Sequence, residues 1–343
     1  TSSHTVTTTA KAGGSSSGGV GVGAAVAIAL IKNTVTARLG SGNSITLSGN
    51  FTATASHGAG ATTMADGEAG GADVAVGAAL ALTIVDDLTT ARTDRDLTAG
   101  GAVTLSAQAG AASSSEARAT AKGVNKAGQQ QQGNTTANGQ VTQQQTSAGN
   151  SSTVPPAKTA DKDGMGNDQP VSVAAAIAVN LATSEARATI PAGRVIRAGG
   201  ALSVMAANQT DGAAIASGSA VGDPGIGVAV AINVVTAVNE GLIGASATIA
   251  GASVTVEALT TAGGDATNVF RAEATAGAGG KDIGIAGAFA LNLVSNQSEA
   301  VIVANTSLTL SGGAVVLSAS NPAISTAKAQ PVADGPATGA DVG

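Results

Sequence analysis

The stretch Asp161-Lys162-Asp163-Gly164-Met165-Gly166-Asn167-Asp168 places oxygen donors alternately around glycines. Hard cations such as Ca²⁺ prefer donors of this kind. Asp161, Asp163 and Asp168 are therefore the candidate metal ligands, and calcium is the only cofactor the sequence raises. A solvated polar turn is the other reading of these residues. Asp94-Arg95-Asp96 puts both charge signs at one strand end, and Asp86-Asp87 pairs two carboxylates at another. Each occurs once, whereas polysaccharide-active enzymes on β-helices cluster several such groups on one wall. His4 and His57 fall in different units, with no recurrent carboxylate beside either, and read as plain surface residues. Gly225-Ile226-Gly227 has the look of a phosphate loop, but it leads into a strand and so lacks the helix N-terminus that would hold an anion. Thr52, Thr104, Ser203 and Thr255 form one column broken by Val316, too thin for a flat ice-binding array. No catalytic or cofactor-binding residue is expected.

These residues sit in a repeat. Gly225-Ile226-Gly227-Val228-Ala229-Val230-Ala231-Ile232-Asn233-Val234-Val235 recurs as Val20–Ile31, Val74–Val85, Val171–Leu181 and Ile283–Val294. The central apolar residue falls at Ile28, Leu80, Ile177, Val230 and Phe289, at intervals of 52, 97, 53 and 59. A later alanine falls at Ala55, Ala107, Ala206, Ala258 and Ala319, at intervals of 52, 99, 52 and 61. Both series give a unit of about 52 residues, the mark of a solenoid or array. The units run 20–71, 72–123, 170–222, 223–280 and 281–338, with an insertion at 124–169. Residues 1–19 read as the end of a preceding unit and 339–343 as the start of another, so the expectation is a piece of a longer repetitive chain.

Each unit reads as four segments. An alternating apolar strand comes first, then a short strand after a polar corner such as Ser184-Glu185-Ala186. A third follows a Gly-Gly turn, as in Gly100-Gly101-Ala102-Val103, and a fourth alternates alanine with polar residues, as in Ala272-Glu273-Ala274-Thr275-Ala276. Gly-Gly suits left-handed turn geometry at corners. Period-two alternation argues strand throughout. Alanine favours helix, but glycine interrupts nearly every run and the three-and-four apolar spacing is missing. The fold class expected is all-β: an elongated, parallel β-helix-like solenoid of five units, with two or three coils in each.

In the opening strand Val228, Val230, Ile232 and Val234 share one face, and Ala229, Ala231 and Asn233 share the other. The small, flat alanine face either packs on another sheet of the same chain or meets a partner. Asn180, Asn233 and Asn292 hold one column, with Thr83 in the second unit and Ile31 in the first. Stacked asparagines can bond along a solenoid axis at the ~4.8 Å strand spacing. A buried, locally satisfied asparagine is the alternative.

The composition agrees with stacked sheets. The chain of 343 residues has 48 glycines, three phenylalanines and no Trp, Tyr or Cys, so its core must be built from small aliphatics. With 16 basic against 22 acidic residues there is no basic stripe for nucleic acid. The absence of cysteine excludes a disulfide scaffold and a thiolate zinc site. The longest apolar run, around Gly225–Val238, is too short and glycine-rich for a membrane span. Aromatic girdles for an outer-membrane barrel cannot be built. From Thr1 onward no basic-then-apolar leader pattern is legible. The insertion holds Gln129–Gln132 and Gln143–Gln145 among Asn, Thr, Gly and Ser, and reads as a long surface excursion.

The unit Gly-Val-Ala-Val-Ala-Ile-Asn-Val-Val, followed by Asn-Glu, a short strand and Ala-Gly-Gly-x-Val-Thr-Val-x-Ala, resembles the repeats of very large secreted bacterial adhesins. Filamentous-haemagglutinin-like and filamentous-leukotoxin-like exoproteins carry similar arrays. Gly164–Asp168 also resembles half of the Gly-Gly-x-Gly-x-Asp calcium repeat of secreted bacterial proteins. The resemblance covers nearly the whole chain outside the insertion. It implies an elongated stalk, an extracellular or cell-surface location, and adhesion or matrix formation. It carries over no functional residue. The expected partners are neighbouring repeats of a longer chain, further copies in fibres, and a host surface or glycan bound by other regions. A self-assembling filament or sheath subunit is the close alternative, and a polysaccharide-active β-helix enzyme is the contrasting class.

Overall fold

The computed structural model of the protein describes residues 1–17, 19–123, 171–260, 266–280, 283–333 and 340–342. Asp161, Asp163 and Asp168, with the insertion that holds them, lie outside the described residues.

The described chain is all-β, and every strand pairing is parallel. It opens with β1 (Ser2–Ser16), β2 (Val20–Leu39), the short β3 (Ile45–Leu47) and β4 (Phe51–Gly71). The same long–short–long order returns in β5 (Val74–Thr93), β6 (Leu97–Ala99) and β7 (Val103–Gly123), then in β8 (Val171–Ile190), β9 (Val195–Ala198) and β10 (Leu202–Val221). Next come β11 (Gly225–Ile243), β12 (Thr248–Gly251), β13 (Val254–Leu259) and β14 (Asn268–Gly279). The last are β15 (Ile283–Ile302), β16 (Ser307–Leu310), β17 (Val315–Ala319), β18 (Ala323–Ala333) and β19 (Ala340–Val342).

Like strands stack on like into three sheets. Sheet A has the order β1-β4-β7-β10-β13-β17, with β14 and β18 continuing the lines of β13 and β17. Sheet B is β19-β15-β11-β8-β5-β2 and sheet C is β16-β12-β9-β6-β3. Each unit of about 52 residues supplies one strand line to each sheet, so a unit makes one coil, where two or three were expected.

The four segments become three strands. The polar corner Ser184-Glu185-Ala186 lies inside β8, whose opening strand continues through it, and Asp86-Asp87 lies mid-strand in β5. The third and fourth segments fuse in β4, β7 and β10. In the fourth unit the line breaks between β13 and β14, and side chains replace the lost ladder: Asn268 Oδ1 accepts from Thr210 N at 2.7 Å and Asp211 Oδ1 from Val269 N at 2.8 Å. The extra residues of this break lengthen the interval there.

The chain runs along sheet A, turns, returns along sheet B in the opposite direction, and passes through sheet C back to A. The cross-section has a thin half and a thick half. In the thin half the start of each sheet B strand faces the end of each sheet A strand through a layer of alanine and glycine, including Ala79, Ala119, Ala176, Ala216, Ala231 and Ala274. A Cβ on Gly67 would stand 1.9 Å from the Ala78 carbonyl oxygen, and one on Gly218 2.1 Å from that of Val228. The backbones thus lie far closer than the ~10 Å at which sheets with ordinary side chains stack. In the thick half sheets A, B and C share a core of Leu105, Ile190, Ile196, Leu202, Ile243 and Ile249, all fully buried.

Corner glycines serve stacking. A Cβ on Gly199 would lie 2.2 Å from the Gly100 carbonyl oxygen of the coil beside it, and Gly200 N donates to Gly101 O at 3.0 Å. Neither Gly-Gly pair has positive φ. Gly312, in the Gly-Gly pair of the fifth unit, does (φ 153°), and at the other corner, between sheets B and C, Gly193 (φ 70°), Ser246 (φ 58°) and Asn305 (φ 61°) hold one left-handed position in successive coils. Among the described residues no helix is long and apolar enough to cross a membrane.

Candidate interaction surface and interior polar sites

Alternation along the sheet B strands separates two faces, and the structure assigns them. Ala229 and Ala231 are fully buried against sheet A, while the large aliphatics point outward. Leu30 is 76% exposed, Val20 60%, Leu293 59% and Phe289 52%. Close packing explains the choice. Glycines such as Gly23 and Gly227 share the alanine parity and touch opposing backbone, where a larger side chain has no room. The outcome is a flat hydrocarbon face across β2, β5, β8, β11 and β15. It ends in a polar margin where Lys32 Nζ meets Asp86 Oδ2 at 2.7 Å and Arg187 Nε meets Glu185 Oε2 at 2.9 Å.

The asparagine column lies on the buried face. Asn180, Asn233 and Asn292 are in direct register in adjacent strands. Asn180 Nδ2 donates to Asn233 Oδ1 at 2.8 Å, and Asn233 Nδ2 to Asn292 Oδ1 at 2.8 Å. Each amide also donates across to sheet A: Asn180 to Ser113 Oγ at 3.0 Å, Asn233 to Gly212 O at 3.1 Å and Asn292 to Phe270 O at 2.9 Å. The amide thus serves both as a ladder along the stack and as a tie between sheets. Thr83 continues the column and sits 2.8 Å from Thr63 Oγ1. The first-coil occupant is Ala29, and the opening anchor is Val26 where Ile28 was expected. A shift of two residues leaves the alternation unchanged, so local pattern could not expose it.

His4 and His57 were expected apart and on the surface. The structure brings them together, with ring centroids 5.5 Å apart. His57 is 4% exposed and its Nε2 lies 3.4 Å from Asp87 Oδ1, with Asp87 fully buried. Asn33 Nδ2 donates to Asp87 Oδ1 and stands 3.2 Å from His4 Nε2. Among the described residues, neither His57 ring nitrogen nor Asp87 Oδ2 has a hydrogen-bond partner. The group lies between sheets A and B, between the Val85–Phe270 cluster and the thick core. An imidazole and a carboxylate are the parts of an acid–base pair, and this one lies buried between the sheets. Register across two sheets brings it together, and spacing in one strand carries no sign of it.

Asp94, Arg95 and Asp96 tie corners. Asp94 accepts from Arg92 Nε at 2.7 Å and also bonds Arg38. Burial alone would raise its pKa, but the two arginines outweigh burial and hold the carboxyl below its usual range. Arg95 Nη2 donates to Ser41 O at 3.1 Å, and Asp96 Oδ1 accepts from Val195 N at 3.0 Å. A second charged group, missed from sequence, lies on the outer face of sheet A. Arg118 and Glu116 approach to 3.7 Å; Glu273 is in register with Glu116 across Ile215 of β10, and Arg271 with Ser114, all four charged groups buried. Burial raises the pKa of Glu116 and of Glu273 against the pull of these cations. Thr52, Thr104, Ser203, Thr255 and Val316 do form one in-register column on this face. Among the described residues no three His, Asp or Glu side chains are grouped to hold a metal ion.

Comparisons with protein-family models, with curated proteins and with solved structures returned no match.

Proposed function

We propose that this chain is a structural β-solenoid segment of a secreted or cell-surface bacterial fibrous adhesin, serving as a stalk or matrix element. The observation that carries the reading is the parallel, in-register stacking of like strands in all three sheets, interrupted in the described residues of the fourth unit only where β13 gives way to β14. In such a stack each unit adds ~4.8 Å of axis, bonded to its neighbours by backbone ladders and by the asparagine amides. Each coil is broad, since its 20-residue strands span about 66 Å. Five coils therefore make a slab about 24 Å deep, and a rod arises only as units accumulate. Binding then falls to other regions of a longer protein.

The test is electron microscopy of this chain beside a tandem duplication of its repeat units, across a concentration series with and without calcium. The stalk reading expects particles of unchanged width whose stacking axis lengthens in the duplicated form. Two separate slabs joined by a tether would contradict it. A calcium-dependent change in either form would give Asp161, Asp163 and Asp168 a role.

A further inference from the structure

We propose that the outward aliphatic face of sheet B is the surface through which two copies of this chain pair, face to face. The face comprises six side-chain rows across five strands. One row runs Val26, Leu80, Ile177, Val230 and Phe289, and the next Ile28, Leu82, Val179, Ile232 and Leu291. At ~6.7 Å between rows and ~4.8 Å between strands it measures roughly 40 by 24 Å, close to 1,000 Å². The largest apolar patch on an ordinary monomer is about 300–600 Å². A stable protein interface needs about 800 Å² from each partner. The face therefore exceeds what a monomer tolerates and matches what a dimer uses.

Its chemistry selects the occupant. The rows present only hydrocarbon, with no donor or acceptor for a peptide strand or a glycan to meet. The charges at the margin are already matched within the sheet, Lys32 with Asp86 and Arg187 with Glu185 and Glu240. They leave no cationic excess to draw an anionic bilayer, and the chain has no Trp or Tyr to anchor at one. The insertion at 124–169 is rich in Gln, Asn and Ser and has too little hydrocarbon to cover the face. A second copy brings the same flat aliphatic surface. Two such faces related by a twofold axis are complementary by construction, and twisted sheets pack face to face about 10 Å apart. The pairing is lateral, at right angles to the stacking axis, and stands independently of the stalk reading.

Analytical ultracentrifugation of the full chain from nanomolar to high micromolar concentration tests this, alongside Ile177→Lys/Val230→Lys at the centre of the face. The wild type is expected to sediment as two copies and dissociate on dilution. The lysine variant should sediment as one, its dissociation constant raised at least about 100-fold because each ammonium would have to leave water for hydrocarbon. Should that variant lose its strand circular dichroism, Ile177→Thr/Val230→Thr keeps the β-branched shape and must weaken pairing in the same direction. A wild type that stays single at every concentration would overturn the proposal, as would variants that pair undiminished. Wild-type single copies that float with phosphatidylcholine vesicles would reassign the face to lipid. Unlimited growth insensitive to both substitutions would assign association to the sheet edges.

Discussion

The thin and thick halves of each coil are built from the same alternating strands but use opposite parities of side-chain size. In the thick half, large residues such as Leu105 and Ile196 point inward and fill the core that sheet C shares with A and B. In the thin half, alanine and glycine point inward and the large aliphatics stand in solvent. Hydrophobicity does not choose the inner face when both faces are apolar. Available space chooses it. Without a third sheet the two backbones collapse until only a methyl group or a hydrogen fits between them, and dense contact of small groups replaces the burial of large ones.

The largest effect of a single substitution is expected in the thin layer. Gly67→Val places its first side-chain carbon against the Ala78 carbonyl, which is backbone and cannot turn aside. A loss of about 4 kcal/mol or more is expected in urea titration, at the extreme of single substitutions. Gly110→Ala, whose Cβ would meet nothing nearer than 4.0 Å, should be nearly neutral and rules out a general intolerance of glycine replacement. In the thick half Leu105→Ala removes contacts instead of forcing a clash. A loss of about 2–4 kcal/mol is expected, following the cavity it leaves. If Gly67→Val proved milder than Leu105→Ala, the thin layer would be looser than described.

Between the halves lies the amide ladder. Asn233→Asp keeps the shape but puts a carboxylate beside Asn292 Oδ1 and the Gly212 carbonyl, where Asn233 donates. Burial and these acceptors raise the folded pKa of such an Asp, so its proton is held more tightly in the folded state. The destabilisation should be largest at neutral pH, about 2–3 kcal/mol, and should shrink on acidification towards the ordinary carboxylate range. The smallest expected effect concerns Glu116 and Glu273. Burial raises both pKa values, so both groups favour folding at low pH and lose that contribution as pH climbs through the raised values. Glu116→Gln/Glu273→Gln should flatten the fall in the urea midpoint between acid and neutral pH. An unchanged slope would contradict the burial assigned to them.

Much of this was legible beforehand. Alternation identified the strands, and the recurrence of Ala55, Ala107, Ala206, Ala258 and Ala319 identified a column that the register reproduces. The alanine face was left open between packing on another sheet and meeting a partner, although a sign for the first existed: Gly23, Gly67, Gly218 and Gly227 share the alanine parity. The number of coils per unit was open because a strand of 20 residues and two of ten give the same alternation. The His57–Asp87 contact and the Glu116–Arg118–Arg271–Glu273 group depend on neighbours one or two coils, or one sheet, away. No spacing within a segment records such neighbours.

Each unit supplies one strand line to each sheet. Pulsed electron–electron resonance between spin labels at Thr52→Cys and Val316→Cys checks this spacing, because the chain has no cysteine to interfere. The two positions lie four strands apart in one column of sheet A. A narrow distribution centred near 19 Å is expected from four steps of ~4.8 Å. A separation of about 38 Å or more, the mark of two coils in each unit, would contradict it.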